Sequence, residues 1–298
     1  MPLHSRWEGG GGGAPPPPGA TSRVAEEHDH AEPAPQQAQP VLISRSTTTD
    51  AIAPSAQTVA ARLEASPRHS EWVMVPAGPD TVRTFVVYPE RSTRAPVVLV
   101  VHENIGLTTW VRGVADQLAS AGYIAIAVDL LTGKVPLEGD TMPAAAVRSV
   151  IGTLRQDDVH RQLAAVGRYG MALPAALPRY GIVGFCWGGG TSFEHAVRSP
   201  AGLGAAVVYY GSSPDTTRLA SINSPVLGLY AGDDQRINAR IPATDSVMQR
   251  LGKPYEVHFF DGAGHGFLRG QEGRPANRAA ADRAWPLTLE FFRRHLGA

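Results

Sequence analysis

The stretch Tyr180-Gly181-Ile182-Val183-Gly184-Phe185-Cys186-Trp187-Gly188-Gly189-Gly190 decides how this chain is read. An apolar, β-branched run enters a turn with glycine on both sides, and more glycines follow. A strand that stops this sharply before a small-residue helix start presents one side chain at the tip of the turn. That is the form of a nucleophile elbow, with cysteine where serine is commoner. Cys186 is the only cysteine of the chain, so an intramolecular disulfide and a cysteine-rich zinc site are excluded.

Outward from the elbow, apolar runs alternate with helical periodicity. Glu71 to Pro76 and Thr81 to Val87 read as a hairpin turning at Gly78-Pro79-Asp80. Pro96 to Val101 is a continuous apolar run, as in a parallel strand buried on both faces. Tyr123 to Val128, Gly181 to Phe185, Ala205 to Tyr210, Val226 to Tyr230 and Tyr255 to Phe260 read as further strands. Helices are expected over Thr109 to Ala121, Arg155 to Tyr169, Gly188 to Val197, around Ser246, and over Ala281 to Leu296. The βαβ spacing predicts an α/β fold, a mostly parallel central sheet flanked by helices on both faces. Gly133 to Val147 is poorly patterned and reads either as a pocket wall or as an ordinary surface loop.

Three regions are expected: a disordered low-complexity extension over 1–48, a linker with a short helix (Ser55 to Glu64) over 49–69, and a catalytic domain over 70–298. His28 and His30 stand in an acidic patch that composition alone explains better than a metal site. The 298 residues are 43% apolar, enough for a large core, and the formal net charge is zero. With no Lys/Arg block, a nucleic-acid partner is not expected. No apolar run of about 20 residues predicts a membrane span. The first residues lack the apolar core of a signal peptide, so the chain reads as cytoplasmic as written. A removed or replaced export signal would make it exported or periplasmic. A monomer is expected.

A thiol at its ordinary pKa is a weak nucleophile at neutral pH, so the elbow needs a base and an orienting acid. In an α/β-hydrolase these follow in the order nucleophile, acid, histidine. Here the candidates are Asp233 and Asp234 after the strand ending near Tyr230, and His265 after the strand ending near Phe260. Spacing does not separate the two aspartates. The amide of Trp187 is the expected first oxyanion donor and that of Asn104 the second. Glu103, beside Asn104, either takes part in the chemistry or is a loop carboxylate paired with an arginine.

These motifs together resemble the dienelactone hydrolase (carboxymethylenebutenolidase) family of the α/β-hydrolase superfamily. The marks are His102-Glu103-Asn104-Ile105-Gly106-Leu107, Gly184-Phe185-Cys186-Trp187-Gly188-Gly189, Gly232-Asp233-Asp234 and Gly264-His265-Gly266-Phe267. The resemblance covers about residues 70 to 298. It implies Cys186, Asp234, His265 and Glu103 as the catalytic group, with Asp234 preferred because the family acid stands three residues before an Ile or Val. It further implies that Glu103 contacts the resting thiol and is displaced when substrate binds. Arg269, four residues after His265, matches an arginine that grips the substrate carboxylate; Arg148 and Arg155 are candidates for a second one. The implied activity is opening of a small lactone or ester through a cysteine acyl-enzyme, without a cofactor or metal. The alternative is a broad carboxylesterase acting on small uncharged aryl or alkyl esters. The Gly133 to Val147 segment and the bulky Trp187 depart from the family pattern.

Overall fold

The computed structural model describes residues 52–297. The low-complexity extension and the His28/His30 patch lie outside the described residues. In chain order the elements are α1 (Val59–Glu64), β1 (Ser70–Ala77), β2 (Asp80–Val87), β3 (Ala95–Val101), α2 (Thr109–Ser120), β4 (Ile124–Asp129), α3 (Ala144–Ile151) and α4 (Gln156–Ala172). Then follow β5 (Ala176–Phe185), α5 (Trp187–Arg198), β6 (Leu203–Tyr209), β7 (Val226–Ala231), α6 (Gln235–Asn238), α7 (Ile241–Arg250), β8 (Tyr255–Phe260) and α8 (Pro275–Leu296).

The eight strands form one sheet in the order β1-β2-β4-β3-β5-β6-β7-β8. β1 and β2 pair antiparallel, β2 runs antiparallel to β4, and the remaining pairs are parallel. This is the α/β-hydrolase arrangement expected from the sequence. The unbroken apolar runs have a direct cause in β3. Val98 and Val100 belong to the apolar cluster that also holds Trp110, Leu118, Trp285 and Phe292 from α2 and α8 on one face. Val97, Leu99 and Val101 belong to the apolar cluster that also holds Leu163, Phe193 and Met248 from α4, α5 and α7 on the other. Both faces are dry, so alternation disappears. Each such aliphatic side chain contributes about 1.5–3 kcal/mol.

Two regions differ from the sequence expectation. Within Gly133 to Val147 the chain enters α3, whose buried Val147 and Ile151 stand four residues apart. With Leu131, Val135 and Met142 they make a small separate cluster. Two buried positions in a short helix leave too weak a period to read. The segment leading into α1 is packed into the body: Ala53 and, at the start of α1, Val59 are buried, and the Trp110 indole N–H donates to the Pro54 carbonyl at 2.7 Å. A side chain on Gly113 would meet Val59. Among the described residues no helix is long and apolar enough to cross a membrane.

The order reverses between β3 and β5, so the loops after these neighbouring strands open on one crevice at their carboxyl ends. The loops after β6, β7 and β8 emerge on the same edge, because those strands run parallel to β5.

Candidate active site

Cys186 sits between β5 and α5 with φ 56° and ψ −116°. A non-glycine residue there is strained, and the surroundings must hold it in place. Its N–H donates to the Tyr209 carbonyl at 3.1 Å. The glycines make the tight turn possible: a Cβ on Gly184 would lie 1.9 Å from the Gly188 carbonyl oxygen. A Cβ on Gly188 would lie 2.4 Å from the His102 carbonyl oxygen, so the loop after β3 abuts the first turn of α5. The thiol is half-buried.

His265 lies in the loop after β8. Its Nδ1 donates to Asp234 Oδ2 at 2.5 Å, and the Asp234 side chain is only 8% exposed. The neighbouring Asp233 turns outward and accepts from Arg274 Nη1 at 2.8 Å. Geometry therefore separates the two aspartates that spacing left equal. The imidazole pKa is pushed up to about 9, first by hydrogen bonding to Cys186 and also by Asp234, against the opposing effect of partial burial. The ring thus carries a proton at neutral pH and stands as a cation beside the sulfur.

Glu103 is buried in a tight loop closed by its own carbonyl, which accepts from the Gly106 N–H at 3.2 Å and the His102 ring at 2.7 Å. Its carboxylate accepts from Arg269 Nε at 2.6 Å. Burial raises the carboxyl pKa, and Arg269 and His265 offset only part of that rise. The Arg269 backbone is tied down in turn: its carbonyl accepts from the Ala56 N–H at 2.9 Å.

Trp187 opens α5, so its amide has no acceptor within that helix. Its ring stacks on His102 at 5.5 Å between centroids and also packs on the Leu131–Ile151 cluster. That cluster therefore lies beside the elbow as an apolar wall. Asn104 is exposed in the loop after β3. Arg148 is exposed in the last turn of α3. Arg155 is 78% exposed and faces Asp158 at 3.6 Å. Neither arginine is brought into contact with Cys186, His265 or Glu103.

One residue of this cluster escaped the sequence reading. Tyr210 follows β6, is fully buried, and has φ 40°. Its ring centroid lies 5.1 Å from that of His265 and 5.3 Å from that of Phe267. Read as the last residue of an apolar strand, it carries no sign of positive φ.

Residues 82–296 match the model of the dienelactone hydrolase family. A Salmonella typhi protein with the provisional name carboxymethylenebutenolidase is 30% identical over 240 residues, covering 75% of this chain and 86% of its own. A Bradyrhizobium protein provisionally named 2-oxo-3-(5-oxofuran-2-ylidene)propanoate lactonase is 30% identical over 241 residues, covering 76% of this chain and 94% of its own. The crystal structure of a dienelactone hydrolase-like promiscuous phosphotriesterase from metagenomic libraries is similar with a TM-score of 0.66 at 25% identity. The likeness spans 76% of this chain and 98% of that one.

Proposed function

Because the chain belongs to the dienelactone hydrolase family, hydrolases of small lactones and carboxylic esters, we propose that it opens a small anionic lactone or ester through an acyl-enzyme on Cys186. The observation that carries this reading is the hydrogen bond from His265, whose ring also bears on Cys186, to the buried Asp234. In the proposed reaction the Cys186 thiolate attacks the carbonyl carbon, and the amides of Trp187 and Asn104 receive the oxyanion. The ring C–O bond breaks, His265 gives its proton to the leaving oxygen, and a thioester remains. Neutral His265 then takes a proton from water as the water attacks the thioester. The carboxylic acid leaves and the thiolate–imidazolium pair returns. One water is consumed and no electrons are exchanged.

Glu103 and Arg269 supply the control step. At rest the arginine is held by the buried carboxylate. A substrate carboxylate reaching Arg269, which is 39% exposed, competes for the same guanidinium and displaces Glu103. The lactonase name of the Bradyrhizobium relative supports an unsaturated, carboxylate-bearing lactone as the substrate class.

A second reading has its own support. Trp187 and the Leu131–Ile151 cluster form an apolar wall, which suits small uncharged aryl or alkyl esters. Turnover of dienelactone against p-nitrophenyl acetate and butyrate separates the two. Faster turnover of the uncharged esters, untouched by Arg269→Ala, would overturn the anionic reading. For the mechanism itself, Cys186→Ala is expected to abolish hydrolysis, and mass spectrometry of the quenched wild-type enzyme to show an acyl adduct on Cys186. Full activity in Cys186→Ala would sink the covalent mechanism.

A further inference from the structure

The loop after β8 carries both His265 and Arg269. Asn277 of α8 spans it, accepting from the Gly264 N–H at 2.9 Å and donating to the Gly270 carbonyl at 2.8 Å. Between those points the Arg269 N–H reaches only the Gly266 carbonyl of the same loop, at 3.2 Å. The outside hold on Arg269 comes from residues 53–56, which lie before the 82–296 region that matches the family model. The Ala56 N–H donates to the Arg269 carbonyl at 2.9 Å. Two residues on, the buried Gln271 amide donates to the Leu268 carbonyl and, across 218 residues, to the Ala53 carbonyl, each at 3.0 Å. Residues 53–56 are themselves anchored. The Pro54 carbonyl accepts from Trp110 at 2.7 Å, and the Ile52 carbonyl accepts from Arg62 at 2.9 Å. Ser55 and Thr58 exchange hydrogen bonds, N–H to Oγ1 at 3.0 Å and N–H to Oγ at 3.2 Å, in the manner of a capping box.

An arginine that must release Glu103 to grip a substrate cannot be held in place by its side chain. Its backbone has to supply the anchor, and a loop that must order itself on binding loses affinity. We propose that residues 53–56 are a strap that fixes the Arg269 backbone, so that the guanidinium meets a substrate carboxylate from a place already set. Ala56 and Gln271 are positioning residues in this scheme, since they act through Arg269 and do not touch substrate. The inference rests on the proposed role of Arg269 in gripping an anion. His265 has its own supports, Asp234 for the ring and Asn277 at the preceding residue, so the strap bears on anion binding more than on the chemical step.

Ala56→Pro tests this in the full chain. Ala56 is exposed and follows Ser55, whose carbonyl accepts from the Val59 N–H at 3.1 Å, so it stands at the first position of a helical turn. Proline suits that position and deletes only the N–H that Arg269 uses. Ala56→Ser keeps the N–H and is the control. Hydrogen exchange of a peptide spanning residues 264–273 is expected to quicken about tenfold or more in Ala56→Pro and to stay level in Ala56→Ser. The KM for dienelactone is expected to rise about tenfold with kcat little changed, while p-nitrophenyl acetate kinetics move less than about twofold. Gln271→Met, which cuts the Ala53 anchor, takes its place should Ala56→Pro not fold. Unchanged exchange would overturn the strap, and so would faster exchange with equal effects on both substrates. Arg269→Ala in the same assays separates the two readings. If it raises the dienelactone KM and Ala56→Pro does not, the strap alone fails. If it leaves that KM untouched, the anion grip fails and takes the strap's role with it.

Discussion

Arg269 Nε lies 2.6 Å from Glu103 Oε2, joining an arginine that solvent reaches to a carboxylate only 5% exposed. Removing the arginine strands the carboxylate, while removing the carboxylate merely frees the arginine. Arg269→Ala is therefore expected to destabilise the fold by about 1–3 kcal/mol, less than a fully buried pair because one partner is wet. Glu103→Gln combined with Arg269→Ala should recover most of that loss. Denaturant unfolding of the two variants measures it, and equal stability of Arg269→Ala and wild type would contradict the pairing.

The His265 pKa near 9 makes a two-sided statement about pH. A folded pKa above the unfolded value of about 6.5 stabilises fully below pH 6.5, and that contribution is lost as pH rises through 9. Hydrolysis should fall over the same alkaline range, as the imidazolium that protonates the leaving oxygen disappears. Asp234→Asn removes one of the groups that raise the pKa, so the alkaline limb should move to lower pH and activity should drop at least about a hundredfold. An unmoved limb in the pH–rate profile of that variant would refute the role given to Asp234.

Away from the crevice, His160 and His195 stack between α4 and α5, with their Nδ1 atoms 3.3 Å apart. Tyr180 Oη lies 3.0 Å from His195 Nε2. Burial lowers both pKa values, to about 4 for His160 and about 3 for His195. A base kept neutral in the fold costs nothing above the unfolded pKa near 6.5, and stability is lost as pH falls from there toward 4. Acid unfolding followed by circular dichroism should therefore start below about pH 6. Replacing both rings, as in His160→Gln with His195→Gln, should flatten that limb, and an unchanged acid limb would count against it.

Gly184→Ala tests the packing of the elbow. The added Cβ would lie 1.9 Å from the backbone oxygen of Gly188, which cannot swing aside as a side chain does. The loss should be about 3 kcal/mol or more, seen as a lowered denaturation midpoint. Gly133→Ala is a useful contrast, because nothing lies within 4 Å of its Cβ and the remaining cost is its positive φ of 72°. A Gly184→Ala protein as stable as Gly133→Ala would show that the elbow can relax.

Much of the fold was legible because its cause is local. The apolar runs of β3, β4 and β7 are buried along their whole length, and hydrophobic runs announce themselves in any sequence. The elbow was legible because Gly184 answers a backbone contact with Gly188, only four residues away, although the approach that requires Gly188 itself is to the remote His102 carbonyl. Helix α3 was not, since its two buried side chains find their partners in Leu131, Val135 and Trp187. Nor was the packing of Ala53 to Val59, whose partners Trp110 and Gln271 are remote in sequence.

The sequence by itself determined the mixed sheet, the position of Cys186 at its elbow, and the chain order of acid and histidine candidates. Those features follow from periodicity and short-range backbone geometry, which a string of residues carries directly. Only the tertiary structure decided that Arg269 meets Glu103 across 166 residues and that Arg155 turns to Asp158. It also set Asp234, the aspartate that the resemblance preferred and that residue spacing alone left level with Asp233, against His265 and turned Asp233 to Arg274. Only it disclosed Tyr210, buried and left-handed beside His265. Pairing across a sheet depends on where parallel strands end and which loops share a crevice, and no local pattern encodes that.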